Sequence, residues 1–413
     1  MLFPATAALL CCMLVSCHSN KKSTNDMKTF DTVPGTYGYD LAFLRRHTKT
    51  VILSDSQGKS QLVIVPDWQA RVMTSTANGS GGYSYGWINY NLIESGEILN
   101  HINPFGGEER IWLGPEGGPF SIFHKSNLPQ VFENWSVPPE LDTKGFDLIA
   151  TTLVKASFSK QFRLVNFSGT MLEVGIERTI QLLDRTEING AIGLDIPEPV
   201  KSVAYESENM LINRGNSPWT KKSGMISLWL LSMLNPSPGV TIFLPYKPGD
   251  EKTLGKTVND DYFGKVPSDR LIVEDGMIYF KADGKCRNKI GIPPRRAMPF
   301  SGSYDEQNGV LTLLWCELPE GKTDYVNSKW GNQKDPFSGD AINAYNDGPL
   351  EDGTQMGPFY ELESSSPAAN LKPGERMLHR ERIFHFEGTE EELSIITEKV
   401  FGIGISEIKE KFK

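Results

Sequence analysis

Short runs of β-branched and aromatic residues, separated by turns rich in Gly and Pro, dominate the chain from about residue 50 to residue 386. The run from 171 to 180 alternates apolar with polar positions, as a half-buried strand does. Two shorter runs, 51–53 and 61–65, flank a turn-forming segment and predict a hairpin. No stretch alternates strands with helices of about 12 residues, which disfavours a parallel α/β sheet. The pattern therefore predicts one large all-β domain.

One helix is clear, at the C-terminal end. Thr389 is followed at the third position by Glu392, which is the spacing of a capping box. Leu393, Ile396 and Val400 then fall on one helical face. We expect this helix to cover a sheet edge.

The N-terminal segment has the pattern of an export signal. Residues 1–16 carry no charge and are mostly apolar, but a bilayer span needs about 20 residues, whereas a signal-peptide core is shorter. The run Leu14-Val-Ser-Cys17 resembles the bacterial lipobox, whose Cys becomes the lipid-modified first residue. We therefore expect a signal peptide over 1–16, a polar tether over 17–28, and a domain over 29–413.

This interpretation predicts a protein of the bacterial cell envelope, periplasmic or at the outer surface, held to the membrane by a lipid on Cys17. The alternative is a plain secretory signal in which Cys17 is incidental. The segment departs from the usual pattern because no Lys or Arg precedes its apolar core.

The charge balance bears on nucleic-acid binding, and the cysteine content bears on possible disulfides. The chain has 42 Lys and Arg against 51 Asp and Glu, a formal net charge of −9, so it lacks the basic excess of a nucleic-acid-binding protein. Three of the five cysteines fall within residues 1–17. Only Cys286 and Cys316 remain for the domain, either as a disulfide or as free thiols.

A segment between residues 100 and 118 concentrates candidate binding groups among glycines, which allow a ligand to approach the backbone closely. These groups are His101, Glu108, Glu109, Arg110, Trp112 and Glu116. The alternative is an irregular loop whose Arg and Glu residues pair with each other.

Two further segments carry acidic groups. On a strand, Glu361 and Glu363 would share a face roughly 6.6 Å apart, since the rise is ~3.3 Å per residue. If they point inward, at least one pKa is raised, which suits acid–base chemistry; if they point outward, they are simply solvated. Asn346 and Asp347 lie in a turn-forming loop and either bond hydroxyls of a ligand or only form the turn.

The chain offers no standard metal motif. It has six histidines and no HxH, HExxH or CxxC pair. His379 and His385 share a strand face but lie about 20 Å apart and cannot chelate one ion together. We expect neither a metal nor a cofactor.

The C-terminal residues Leu362-Glu-Ser364, Leu371-Lys-Pro-Gly-Glu375 and His385-Phe-Glu-Gly388 resemble the end of galactose mutarotase-like (aldose 1-epimerase-like) proteins. The segments 69–74 and 107–116 resemble other parts of the same superfamily, so the chain looks like a branch of bacterial lipoproteins within it. The resemblance implies a β-supersandwich with a sugar site on a concave face.

In mutarotases a Glu takes the anomeric hydroxyl proton and a His protonates the ring oxygen. Carried over, the base is Glu363, with Glu361 as the close competitor. The chain departs from the family pattern because no His lies between Lys125 and Leu378. His101 or His124 would have to replace the mid-chain His, or the acid is a Glu such as Glu116, or epimerisation is lost.

We therefore expect a carbohydrate-active lipoprotein that binds a mono- or oligosaccharide through Glu361, Asn346, Asp347 and residues 108–116. Whether it is an enzyme stays open. The alternatives to an aldose 1-epimerase-like isomerase are a non-catalytic glycan-binding protein and a glycoside hydrolase or lyase, which needs two carboxylates about 5 to 9.5 Å apart.

Overall fold

A computed structural model of the protein describes residues 32–274 and 276–413, which contain three antiparallel sheets. The smallest sheet contains β1 (Val51–Ser54), β2 (Gln61–Val65) and β3 (Arg71–Thr76), in that spatial order. The first two pair as the predicted hairpin.

The two larger sheets form the body of the fold. The ten-stranded sheet contains, in spatial order, β11 (Leu271–Glu274), β12 (Met277–Lys281), β10 (Val240–Pro245), β14 (Phe300–Asp305), β15 (Val310–Cys316), β18 (Arg376–Glu387), β8 (Lys201–Asn213), β7 (Met171–Leu182), β6 (Lys155–Val165) and β5 (Asp147–Thr151). The five-stranded sheet contains β13 (Asn288–Ile292), β16 (Ile342–Asn346), β17 (Tyr360–Ser365), β9 (Ser227–Leu234) and β4 (Arg110–Gly114).

Six α-helices lie within the described residues: α1 (Tyr37–His47), α2 (Tyr90–Ser95), α3 (Arg185–Ile192), α4 (Glu251–Leu254), α5 (Glu390–Phe401) and α6 (Ile405–Glu410). Helix α1 was not predicted. Its buried residues include Tyr37, Leu41 and Leu44, but glycine at position 38 and arginines at 45 and 46 obscure the helical period in the sequence.

The predicted capping box of α5 is present: Thr389 Oγ1 accepts from Glu392 N, and Glu392 accepts from Thr389 N. The expected position of this helix at a sheet edge is wrong. Leu393 and Ile396 pack in one apolar cluster with Phe243, Leu313 and Phe384, which belong to central strands of the ten-stranded sheet. The helix covers a face of the sheet because these central strands turn large apolar side chains outward.

The main core lies between the two large sheets. Ile111, Leu230 and Leu362 of the five-stranded sheet join Ile180 and Val203 of the ten-stranded sheet in one buried cluster. Since side chains alternate along a strand, the neighbours of these apolar residues point to the opposite face of the five-stranded sheet. That face carries the candidate site.

The predicted fold class, an all-β supersandwich of large antiparallel sheets with a short C-terminal helix, is confirmed. The proposed signal peptide, tether and Cys17 lie outside the described residues. Within those residues, no helix is long and apolar enough to cross a membrane. Cys286 and Cys316 are both free thiols, and burial raises the pKa of Cys316.

Candidate functional site

Strand alternation brings six large polar and aromatic side chains together on the outer face of the five-stranded sheet. In the sheet register, Leu231 pairs with Glu363 on one side and with Arg110 on the other. In the same way, Tyr345 pairs with Glu361 on one side and with Lys289 on the other. Here the charged face denotes Arg110, Trp112, Trp229, Lys289, Glu361 and Glu363.

Glu363 is held by two donors. The Lys289 ammonium lies 2.9 and 2.7 Å from its two carboxylate oxygens, and the Trp229 indole N–H donates to Oε2 at 2.8 Å. Glu363 is buried and only 1% exposed. Such bonds hold the carboxylate in one orientation.

Glu361 has a weaker partner. The Arg110 Nη2 lies 3.3 Å from Glu361 Oε1, while the guanidinium stacks over the Trp112 ring with 4.0 Å between its carbon and the ring centroid. Burial raises the pKa of Glu361 to about 7, an effect that Arg110 opposes and the Glu363 charge reinforces. This carboxyl therefore changes protonation near neutral pH.

The charged face has hydrogen-bonding capacity that the described residues leave unused. Arg110 Nε and Nη1 and Trp112 Nε1 are buried, and none has a hydrogen-bond partner in the described part of the chain. Buried donors are rarely left unpaired without a functional reason, because desolvating them costs about 1–3 kcal/mol each. These three N–H groups are therefore suited to bind oxygens of a ligand.

Glu116 lies in the loop that follows β4, two residues beyond the end of the strand. Its main chain is held at both ends: the Glu116 N–H donates to Ser328 Oγ at 3.4 Å, and the Ser121 hydroxyl donates to Glu116 O at 2.5 Å. Burial raises the pKa of the Glu116 carboxyl. The Lys289 charge and a side-chain interaction with Trp330 lower this pKa, and the Glu363 charge raises it further. Glu116 is therefore electrostatically coupled to the Lys289–Glu363 pair.

A second polar group lines the site next to β13. Tyr262 donates to Asp340 at 2.5 Å and accepts from Asn343 at 3.2 Å. Burial raises the pKa of Asp340 to about 6. Gly291 is required beside them, because a Cβ there would lie 2.0 Å from Asp340 Oδ2.

Several of these residues were not predicted from the sequence. Lys289 is the one cation of β13, which reads Asn-Lys-Ile-Gly-Ile, and a cation beside apolar residues in a strand was the one available signal. Trp229 had no such signal, because an aromatic residue in an apolar strand is ordinary core composition.

Glu108 lies apart from the charged face. Its Oε1 accepts from Ser75 at 2.8 Å and from His385 Nε2 at 2.9 Å, and the residue is fully buried. Glu109 pairs with Arg178 at 2.6 Å, because alternation turns it to the side opposite Arg110. Of the acidic residues at 108, 109 and 116, Glu116 is the one whose pKa is affected by Lys289 and Glu363 of the charged face.

His101 contacts the loop at 132–135. Its Nδ1 lies 2.6 Å from Trp135 O, and its ring packs on Phe132 with centroids 4.4 Å apart. His124 is nearer to Glu116: its Nδ1 lies 3.3 Å from Glu116 O, and its ring packs edge-on against Trp330. Burial lowers the pKa of His124.

Asn346 and Asp347 bond mainly within the protein. Asn346 accepts from Gly284 N and donates to Cys286 O, both at 2.8 Å. Asp347 accepts from the Tyr345 hydroxyl at 2.5 Å and from Gly357 N at 3.1 Å. Asp347 thus reaches the charged face only through Tyr345.

Residues 32–274 and 276–413 contain no group of three or more His, Cys, Asp or Glu side chains arranged to hold a metal ion. The polar groups of the site are instead carboxylates, cations and indole N–H groups. These are suited to binding hydroxyls and moving protons.

Comparison with known proteins places the chain in a family. Residues 35–412 match the model of a family of unknown function, DUF6786, and the chain belongs to it. A search among curated protein sequences finds no match.

Solved structures show a similar fold at low sequence identity. The Slr1438 protein from Synechocystis sp. PCC 6803 is 11% identical with a TM-score of 0.50, over 83% of this chain and 96% of that one. A galactose mutarotase-like protein from Lactobacillus casei is 10% identical (TM-score 0.46, 82% and 100% covered). A putative aldose 1-epimerase from Escherichia coli K12 is 11% identical (TM-score 0.45, 82% and 98% covered). Galactose mutarotase-like structures, which the sequence resembles, are thus among its structural neighbours.

Proposed function

We propose that the charged face binds a sugar and catalyses proton transfer at its anomeric centre, as an aldose 1-epimerase does. The observation that carries the proposal is that Glu363, Arg110 and Trp112 meet on one buried face with three unused N–H donors. Donors of this kind bind sugar hydroxyls, and the Trp112 and Trp229 rings offer apolar surface to sugar C–H groups.

In this mechanism Glu363 takes the proton of the anomeric hydroxyl while a protonated acid delivers one to the ring oxygen. The C1–O5 bond breaks, the ring opens to the aldehyde, and the aldehyde group rotates about the C1–C2 bond. Closure in the reverse sense returns both protons and gives the other anomer. Glu116 is the proposed acid in place of His101, because burial raises its pKa and keeps it protonated to higher pH.

The test is polarimetry of glucose and galactose anomer exchange. Wild-type protein is expected to accelerate exchange, and Glu363→Gln and Glu116→Gln are each expected to reduce kcat by at least about 100-fold. Glu410→Gln, at an exposed position of α6, is the matched control and should retain full activity. If the wild type gives no acceleration over buffer for any common aldose, catalysis is contradicted.

A second candidate is a glycan-binding protein without catalysis on the same face. It is favoured by the hydrogen bonds that Lys289 donates to both oxygens of Glu363 and that Trp229 donates to Oε2, because an ion-paired carboxylate is a weaker base. This candidate predicts sugar binding with no anomer exchange, and binding should fall in Trp112→Ala. A glycan array without hits would contradict it.

We also propose that the protein is anchored in the bacterial cell envelope through a lipid on Cys17, on the strength of the lipobox-like run at 14–17. Wild-type protein is expected in the membrane fraction with an acylated N-terminal peptide. Cys17→Ser should be exported without lipid and recovered as soluble protein. A Cys17→Ser variant that stays membrane-bound would contradict the anchor.

A further inference from the structure

Beside the charged face lies a group of three aromatic rings, Phe132, Trp135 and Trp330, here called the aromatic platform. Phe132 and Trp330 each pack against Trp135, with centroids 5.9 and 5.8 Å apart, and lie nearly parallel to each other at 13°. Trp135 is buried, but Phe132 is 52% exposed and Trp330 is 39% exposed. The platform therefore exposes part of two aromatic rings to solvent, with His101 packed against Phe132 at 4.4 Å.

The platform is connected through His124 to the loop that carries Glu116. The Trp330 ring packs edge-on against the His124 ring at 5.2 Å, and His124 Nδ1 lies 3.3 Å from Glu116 O. Trp135 extends the contact inward through Phe123, which stacks on it at 5.9 Å and packs against Trp112 at 5.3 Å. Buried aromatic packing thus connects the charged face to the partly exposed rings of the platform.

The loops on either side fix this arrangement. Gln130 accepts from both Gly118 N at 2.9 Å and Gly331 N at 3.1 Å, which ties the loop carrying Trp330 to the loop carrying Glu116. Gly117 allows the close approach, because a Cβ there would lie 2.6 Å from Trp330 Cα. Trp330 is therefore held in position by several contacts rather than being a loosely attached surface residue.

We propose that the aromatic platform is a second sugar-binding subsite, so that the ligand is an oligosaccharide with one residue at the charged face and the next stacked on Phe132 and Trp330. This inference rests on the proposed function, since it places the first residue where that proposal does. Pyranose rings carry C–H groups on their faces and hydroxyls at their edges, so parallel, half-exposed aromatic rings match the face of a sugar. Solvent-exposed apolar surface next to a polar site is typical of a binding region.

The experiment is titration calorimetry with glucose and galactose and with their α-1,4- and β-1,4-linked di- and trisaccharides. Wild-type protein is expected to bind a di- or trisaccharide at least about tenfold more tightly than the matching monosaccharide. Phe132→Ala should lower the affinity for the di- or trisaccharide by about three- to tenfold, which corresponds to the loss of one aromatic stacking contact. The affinity for the monosaccharide should stay unchanged. Ile149→Ala, at an exposed apolar position of β5, is the matched control and should bind as the wild type does.

Arg110→Met separates this inference from the proposed function. If monosaccharides bind, Arg110→Met weakens them, and chain length brings no gain, the platform is refuted while the charged face stands. If trisaccharide binding falls in Phe132→Ala but not in Arg110→Met, the platform stands and the charged face is refuted. If no sugar in the set binds to the wild type, both are refuted.

Discussion

Arg110 and Arg178 are both buried and both paired with a glutamate, yet their surroundings differ. Each nitrogen of Arg178 donates a hydrogen bond: Nε to Ala70 O at 3.2 Å, Nη1 to Asn209 at 2.5 Å and Nη2 to Glu109 at 2.6 Å. Arg110 makes one bond of 3.3 Å to Glu361, and its Nε and Nη1 have no hydrogen-bond partner among the described residues.

Two buried histidines resemble Arg178 in that their rings are hydrogen-bonded within the protein. His385 bonds Thr312 and Glu108 through its two ring nitrogens, and His379 bonds Ser364; both are at most 1% exposed. Ser364 also donates to Glu381 at 2.5 Å. These bonds belong to the interior network, defined here as Glu108, Glu109, Arg178, His379, Glu381 and His385. Among the described residues, the donors of Arg178 and His385 are paired within the protein, whereas two donors of Arg110 are not; one oxygen each of Glu108, Glu109 and Glu381 also lacks a partner. The comparison teaches that the two regions differ in their donors: those of the interior network hold the fold together, and those of the charged face are available to a ligand.

Arg178→Met is expected to have the largest effect. It leaves the Glu109 charge buried without its partner, and breaking such a pair costs about 3–5 kcal/mol. Chemical denaturation of the variant should show a loss of this size. The double variant Arg178→Met/Glu109→Gln should recover most of it, because no unpaired charge remains. Equal losses in both variants would contradict this account.

Glu361→Gln should change the pH dependence of stability. The pKa of Glu361 rises from an ordinary 4.5 to about 7 in the folded protein, so the folded state binds more protons than the unfolded state between these values. The contribution of Glu361 to stability is therefore complete below about pH 4.5 and is lost as the pH rises toward about 7, by up to about 3 kcal/mol.

Denaturation of wild type and Glu361→Gln from pH 4 to pH 8 measures this effect. The free energy of unfolding of the variant should rise relative to the wild type across that range and then level off. A difference between the two proteins that does not vary with pH would contradict the raised pKa.

Arg110→Met should weaken sugar binding by about 10- to 100-fold, because the free energy of a hydrogen bond to a charged donor corresponds to this range of affinity. Its cost in stability should be smaller than that of Arg178→Met, since the uncompensated Glu361 can take up a proton near neutral pH. Calorimetric affinity and denaturation of both arginine variants check this. Equal destabilisation by the two variants would remove the distinction between the charged face and the interior network.

The sequence predicted the fold class because strand periodicity and turn residues are local signals. It also correctly placed Glu361 and Glu363 on one face, since side chains alternate along any strand. It did not place Glu108 in the interior or Lys289 beside Glu363. Those positions depend on strand order in the sheet, and β13 and β17 are separated by nearly 70 residues in the chain.

Helix α5 shows the same limit on a smaller scale. Its capping box is contained within four residues and was predicted correctly. The surface that the helix covers is set by distant residues such as Phe243 and Phe384, and this was predicted wrongly. Local chemistry can be predicted from one segment, whereas the partner surface requires the tertiary arrangement.

His385→Gln should have the smallest effect. The ring of His385 stacks on Tyr85 at 4.1 Å and bonds Glu108 and Thr312, so its loss should cost about 1–2 kcal/mol in stability. Because His385 belongs to the interior network, the variant should retain both the kcat for anomer exchange and its pH profile. A shift in that profile would show that this histidine acts on the reaction, and the separation of the interior network from the charged face would then fail.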